Sequence, residues 1–175
     1  MRKKIIKFFL LAILVGLTTT GTAMAENSLK SGATALSFGI VDSDIEVSGR
    51  LFVSNDLAVL AGVGLAHSDN DESTTDYSLS AGIRKYLAKS DLAPFVGGVV
   101  SYSRDEVVAG GPPAARVESE KTFELAGVFG AEYFFAKQVS AEAQIGFGIS
   151  DVKNGADETT IGTFRSGVTV NFYLP

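Results

Sequence analysis

The sequence predicts an all-β protein, an eight-stranded antiparallel up-and-down transmembrane β-barrel, and four observations carry that expectation. Eight segments alternate apolar and polar side chains with a period of two. Each has about ten or more residues, longer than the ~5–6 of an ordinary soluble strand and suited to a tilted crossing of ~9–11. The connections alternate between tight and long, as they do when alternate connections share one end of a barrel. No carboxylate stands on the oily face of any segment, while the opposite face mixes arginines with glutamates.

Ahead of the strands, Arg2, Lys3, Lys4 and Lys7 introduce an apolar run that ends near Gly16, followed by small residues and the A-x-A pattern Ala23-Met24-Ala25. This is the form of a secretory signal peptide over 1–25, cleaved after Ala25 and leaving a barrel domain over 26–175. The run is interrupted by Lys7 and falls short of the ~20 residues that span a bilayer as a helix. Without residues 1–25, eleven basic side chains face twenty acidic ones, a formal charge of −9. So acidic a chain does not suit a nucleic-acid partner. The absence of cysteine excludes a disulfide scaffold and every cysteine-based catalytic or metal site.

The strands are expected near 31–41, 44–54, 57–67, 77–88, 93–103, 121–135, 139–150 and 160–173. In the first, Leu36, Phe38 and Ile40 share one face. The second sets Ile45, Val47, Leu51 and Val53 against Glu46, Ser48 and Arg50, and the third sets Val59, Val63 and Leu65 against Gly62 and Gly64. The fourth opposes Leu79, Ala81 and Ile83 to Ser80, Gly82 and Arg84, and the fifth opposes Val96 and Val100 to Gly97 and Ser101. Leu125 and Phe129 stand against Glu124, Gly130 and Glu132 in the sixth. The seventh alternates without a slip from Val139 to Ser150 and carries Glu142 on its polar side. The eighth sets Phe164, Val168, Val170 and Phe172 against Arg165, Gly167, Thr169 and Asn171.

An eight-stranded barrel has an interior just wide enough to be filled by side chains, so the small, glycine-rich face belongs inside and the branched and aromatic face outside. Glu46, Arg50, Arg84, Glu124, Glu132, Glu142 and Arg165 then form a lumen ionic network, tolerable because three arginines accompany four glutamates. Strand direction divides them: Arg84, Glu132 and Glu142 are expected in a lower cluster, and Glu46, Arg50, Glu124 and Arg165 in an upper one, Arg50 nearest the middle. Aromatics are expected at both membrane interfaces, Tyr77, Tyr102, Phe123 and Phe164 at the outer ends and Tyr133 and Phe172 at the periplasmic ends.

Tight turns at 54–56, 88–92 and 136–138 alternate with polar or Gly/Pro-rich stretches at 68–76, 104–121 and 151–159, which are expected to be external loops. The first outer connection, around Asp42–Asp44, is short.

The stretches "AGIRKYLAKSDLAPFVGGVVSYS" (81–103), "GVFGAEYFFAKQVSAEAQIGFG" (127–148) and "RSGVTVNFYLP" (165–175) resemble the small outer-membrane β-barrel family, the OmpX-like and OmpA-transmembrane-domain group. The resemblance covers nearly all of 26–175. Its motifs are an Arg-x-Tyr ending one strand, a Pro-Phe-Val-Gly opening the next, and a Glu-Tyr before a tight turn. It implies an outer-membrane location and a structural, adhesive or host-interacting surface role through the external loops. It also implies outer-membrane lipid, lipopolysaccharide and the barrel-assembly machinery as partners, with a monomeric barrel and a host or cell-surface ligand. Many members end in an aromatic residue that the assembly machinery reads, whereas this chain ends Phe172-Tyr173-Leu174-Pro175.

Some barrels of this size act on lipid A with a His and a Ser, and His67 is followed by Ser68 and Asp69. Adjacent strand residues point to opposite faces, so base and nucleophile do not meet there, and no catalytic residue is expected. Asp69, Asp71 and Asp76 do not form a calcium loop, because Thr74 and Ser80 stand where an EF-hand requires Gly and Glu. The "GGPP" at 110–113 lacks the Lys-Ser/Thr ending of a phosphate loop. No metal or cofactor is therefore expected. A structural or adhesive surface protein is the reading favoured, with a lipid A-modifying enzyme and a small-solute pore as alternatives.

Overall fold

Eight antiparallel strands pair in sequence order, and the last pairs with the first, in the computed structural model, which describes residues 28–69, 73–109, 116–153 and 157–174. The expected signal peptide lies outside these residues. The strands are β1 (Thr34–Val41), β2 (Asp44–Phe52), β3 (Leu57–Asp69), β4 (Ser73–Tyr86), β5 (Leu92–Ala109), β6 (Arg116–Ala136), β7 (Val139–Lys153) and β8 (Asp157–Tyr173). Closure leaves no open sheet edge at membrane depth, the condition for a β-structure to stand in hydrocarbon.

The register measures the strand tilt. Following Cα partners from Leu36 through Gly49, Ala61, Ala81, Val100, Leu125 and Ile149 arrives at Ile161 on β8. Leu36 itself pairs with Phe172, so one circuit advances eleven residues, including the irregularity at Gly148/Ile149. That stagger, about 36 Å, against a girth of about 38 Å for eight strands corresponds to a tilt of about 45°.

Side chains alternate between solvent and interior in the inside-out sense. In β1, Leu36, Phe38 and Ile40 are exposed while Ala35, Ser37 and Val41 are buried. The exposed large apolar side chains, from Leu36 to Leu174, are 36% to 64% accessible, whereas Arg50, Glu132, Glu142 and Asn171 are no more than 3% accessible. On β4 the outward residues run from Tyr77 to Lys85, about 27 Å of strand and about 19 Å along the normal at this tilt, close to the ~25 Å apolar band of outer-membrane barrels.

The long connections differ from expectation. Strand pairing continues through 68–76 to Asp69↔Ser73, through 104–121 to Ala109↔Arg116, and through 151–159 to Lys153↔Asp157. Only the tips lie outside the described residues, and 110–113 is among them. Each further pair added to a formed ladder closes backbone hydrogen bonds without a new loop-closure cost, and Val107, Val108, Val117, Thr159 and Thr160 suit an extended chain. The β1–β2 connection is a two-residue turn whose residues Asp42 and Ser43 both have positive φ, 51° and 81°, as a type I′ hairpin requires.

Candidate functional site

The lumen is layered. At the short-turn end the expected small, glycine-rich interior gives way to an aromatic floor. Phe134, Tyr173, Phe52, Tyr86 and Phe95 form a continuous arc with ring centroids 5.4, 6.2, 5.4 and 5.7 Å apart in that order. All five are buried. Gly130 admits the ring of Phe95, since a Cβ there would stand 2.7 Å from its Cζ and 2.3 Å from the Ala143 carbonyl oxygen. Beneath the floor, residues 28–33 cross the mouth: Ser28 Oγ donates to the Lys137 carbonyl at 2.5 Å, the Ser31 amide donates to Asn55 Oδ1 at 2.9 Å, and Leu29 is buried. This segment replaces the start of the first expected strand.

One inward step above the floor lies a charged layer. Glu132 Oε2 accepts from Arg50 Nη1 at 2.7 Å and from the Tyr86 hydroxyl at 2.5 Å. Its Oε1 accepts from Asn171 Nδ2 and the Tyr173 hydroxyl, each at 2.9 Å, and from Ser140 Oγ. Glu142 Oε2 accepts from Arg50 Nη2 at 2.7 Å and from Arg84 Nη1. Arg84 Nη2 donates to Gln144 Oε1 at 2.9 Å, and its guanidinium carbon stands 4.5 Å from the centre of the Phe95 ring. Two arginines thus neutralise two glutamates, all four buried, with hydrogen bonds making up part of what dehydration removes.

Arg50 was expected in the upper cluster, and the structure places it in this lower one. Its position explains the difference: Arg50 precedes the floor residue Phe52 by two, as Arg84 precedes Tyr86, Glu132 precedes Phe134 and Asn171 precedes Tyr173. Every even-numbered strand ends in the same polar-x-aromatic pattern, which stacks one charged or amide layer on one aromatic layer. That repeat was visible in the sequence and would have added Tyr86 and Tyr173 to the lumen, where Asn171 was already expected from its place on the polar face of the eighth strand.

The upper cluster is centred on Arg165. Its Nη1 lies 3.0 Å from Asp42 and 3.4 Å from Glu124, and its Nη2 lies 3.7 Å from Glu46. Asp42 is an addition to the expected set. Its Oδ1 accepts from the Ser166 amide at 2.7 Å, which ties the β1–β2 turn to β8. Burial pushes the Asp42 carboxyl up from its ordinary range, against that hydrogen bond and the nearby Arg165. Around this cluster is a cavity of about 250 Å³ lined in part by Asp44, Ser80 and Ser101.

On the outside, Tyr77, Tyr102, Phe123, Tyr133, Phe164 and Phe172 are all exposed. Phe164 meets Phe147 edge-on at 5.5 Å, Phe172 meets Phe38 at 6.1 Å, and Tyr133 meets Phe135 at 5.2 Å. The backbone of His67 and Ser68 belongs to β3, and their side chains lie outside the described part of the structure.

No protein-family model matches the chain, and no curated protein is significantly similar to it. Solved structures do resemble it. The N-terminal β-barrel domain of OprF from Pseudomonas aeruginosa aligns with a TM-score of 0.55 at 14% identity, over 82% of this chain and 98% of that one. The outer membrane protein Ail of Yersinia pestis, determined in a phospholipid bilayer nanodisc, aligns with a TM-score of 0.51 at 12% identity, over 82% of this chain and all of that one. The chain has the small outer-membrane β-barrel fold. At these identities the likeness concerns architecture, and it agrees with a lipid-facing belt deduced from exposure alone.

Proposed function

We propose that this protein resides in the bacterial outer membrane and acts at the cell surface through the external ends of its hairpins, in a structural or adhesive role, without enzymatic chemistry. The observation that supports this most is the β5–β6 hairpin. It continues seven residues beyond the interfacial pair Tyr102–Phe123 on each strand, to Ala109 and Arg116, a reach of about 23 Å of strand. A paired ladder carried past the membrane offers a pre-organised surface at low ordering cost. The lumen offers a small solute no such route, since the aromatic floor and the charged layer fill its lower part.

The test compares adhesion to a cultured epithelial layer for bacteria expressing the full chain, a variant with 105–120 replaced by a four-residue Gly/Ser turn, and Arg165→Gln. The hairpin replacement should lower adhesion to that of non-expressing cells while heat-modifiable barrel persists in the membrane, and Arg165→Gln should leave adhesion unchanged. Adhesion that follows the lumen variant instead would contradict the proposal.

A further inference from the structure

Among the described residues, five buried side-chain atoms have no hydrogen-bond partner in the protein: Ser37 Oγ, Glu142 Oε1 and the Nε atoms of Arg50, Arg84 and Arg165. All five side chains line one internal space of about 30 Å³ between the lower and upper ionic clusters. Buried polar groups are almost always satisfied by protein or by ordered water, so five exceptions around one space point to water held there. The space exceeds the ~10–15 Å³ that a single water needs. Its polar lining supplies both donors and acceptors: three guanidinium N–H groups, one carboxylate oxygen and a hydroxyl that can serve either way.

This space adjoins the upper cavity, for Val41, Glu46, Ser80 and Arg165 line both. In the other direction it meets the charged layer and, under it, Ala58, Phe52, Phe95 and Ala93, each at most 1% accessible, with Leu29 below. We propose that the lumen is a blind aqueous well. Solvent enters at the long-hairpin end, descends past Arg165, and ends in a bound-water site at Ser37, Glu142, Arg50 and Arg84, above an aromatic seal that keeps the short-turn end dry. The water accepts from arginine Nε–H groups and donates to Glu142 Oε1 and Ser37, completing a network whose other bonds are internal. The inference goes beyond the surface role proposed above and does not depend on it, since it concerns the lumen and holds for either orientation in the membrane.

Water-selective nuclear Overhauser measurements on the full barrel refolded in detergent micelles test the site directly. The methyl groups of Val41 and Val99 line the small space and carry no exchangeable proton. Both should show contact with long-lived water, and the methyls of Ala58 and Ala93 in the floor should show none. Ser37→Ala should preserve the signal at Val99, whereas Ser37→Val, which fills the space, should remove it. No water at Val41 and Val99 in the wild-type chain, or equal water at Ala58, overturns the proposal. Because the chain has no cysteine, thiol labelling gives an independent reading. Ser80→Cys should react with a small charged methanethiosulfonate on the order of 100-fold faster than Ala58→Cys, since labelling follows exposure of the thiolate. Equal rates would show that the floor is no seal.

Discussion

Arg50→Ala is the substitution that most sharply tests the lower ionic layer. The Arg50 guanidinium holds Glu132 and Glu142 at 2.7 Å each and lies 2.6 Å from the Tyr86 hydroxyl and 3.2 Å from that of Tyr173. Truncation leaves two carboxylates with Arg84 as the remaining cation in the layer. Glu132 keeps donors from Tyr86, Tyr173, Ser140 and Asn171, so its desolvated charge is partly satisfied, while Glu142 keeps Arg84 as its one protein donor among the described residues. Removing one side of a buried pair costs about 3–5 kcal/mol. With a urea dependence near 2 kcal/mol per molar, the unfolding midpoint in lipid vesicles should fall by about 2 M. Lys89→Ala, in an exposed turn, should leave it unchanged. Adding Glu142→Gln to Arg50→Ala rebalances the layer at one cation and one anion and should recover part of the loss. Arg50→Ala with the same midpoint as Lys89→Ala, or a double variant less stable than the sum of its parts, would refute the assignment of Arg50 to a desolvated ionic layer.

Three further outcomes follow from other parts of the barrel. Leu79→Arg and Val168→Arg place a charge on the lipid face, where both wild-type side chains are exposed, and should each cost ~2–4 kcal/mol in the same titration. Ser43→Gly should stabilise the barrel by about 1 kcal/mol, because φ of 81° is strained for Ser and free for Gly, whereas Asp42→Gly should destabilise it by losing Arg165 and the Ser166 amide. In the exposed β2–β3 turn, hydrogen bonds from Lys85 and then Ser54 hold the Asp56 carboxyl below its ordinary 3.8. A carboxylate with a lowered folded-state pKa contributes stability above the ordinary value and loses it as pH falls through the folded one. The midpoint of Asp56→Asn should therefore lie below wild type at pH 7, and the gap should close as pH falls below 3.8.

How much of this was legible in the sequence depends on which physical signal each residue carried. Facing was legible because the period of two is unambiguous where one face is Leu, Phe and Ile and the other Ser, Gly and Glu; Leu79, Ile83, Phe147 and Val168 stand outward as their alternation requires. Height was legible only from the short-turn end. Arg50 lies four residues before the strand end expected at 54, as Arg84 lies four before 88, so height counted from that end puts the two together, as they are in the structure, where β2 ends at Phe52 and β4 at Tyr86. The floor was obscured. At the short-turn end, Leu51-Phe52, Phe172-Tyr173 and Phe134-Phe135 are apolar on both faces, so alternation of polarity disappears where the interior itself becomes aromatic. The external hairpins were read as loops because their residues are polar, yet a strand leaving the membrane needs no oily face, only a partner already in register. Asp42 joined the Arg165 cluster through a turn, a contact no strand pattern encodes.

Whether the oily face meets lipid is read most directly by spin labels placed one at a time along β4 of the barrel in lipid vesicles, comparing relaxation by oxygen, which partitions into hydrocarbon, with relaxation by a water-soluble nickel chelate. Labels at Leu79, Ala81 and Ile83 should be relaxed chiefly by oxygen, and labels at Ser78 and Ser80, which face the lumen, should not. An alternation of the opposite phase, or none, would contradict a barrel that is apolar outside and ionic within.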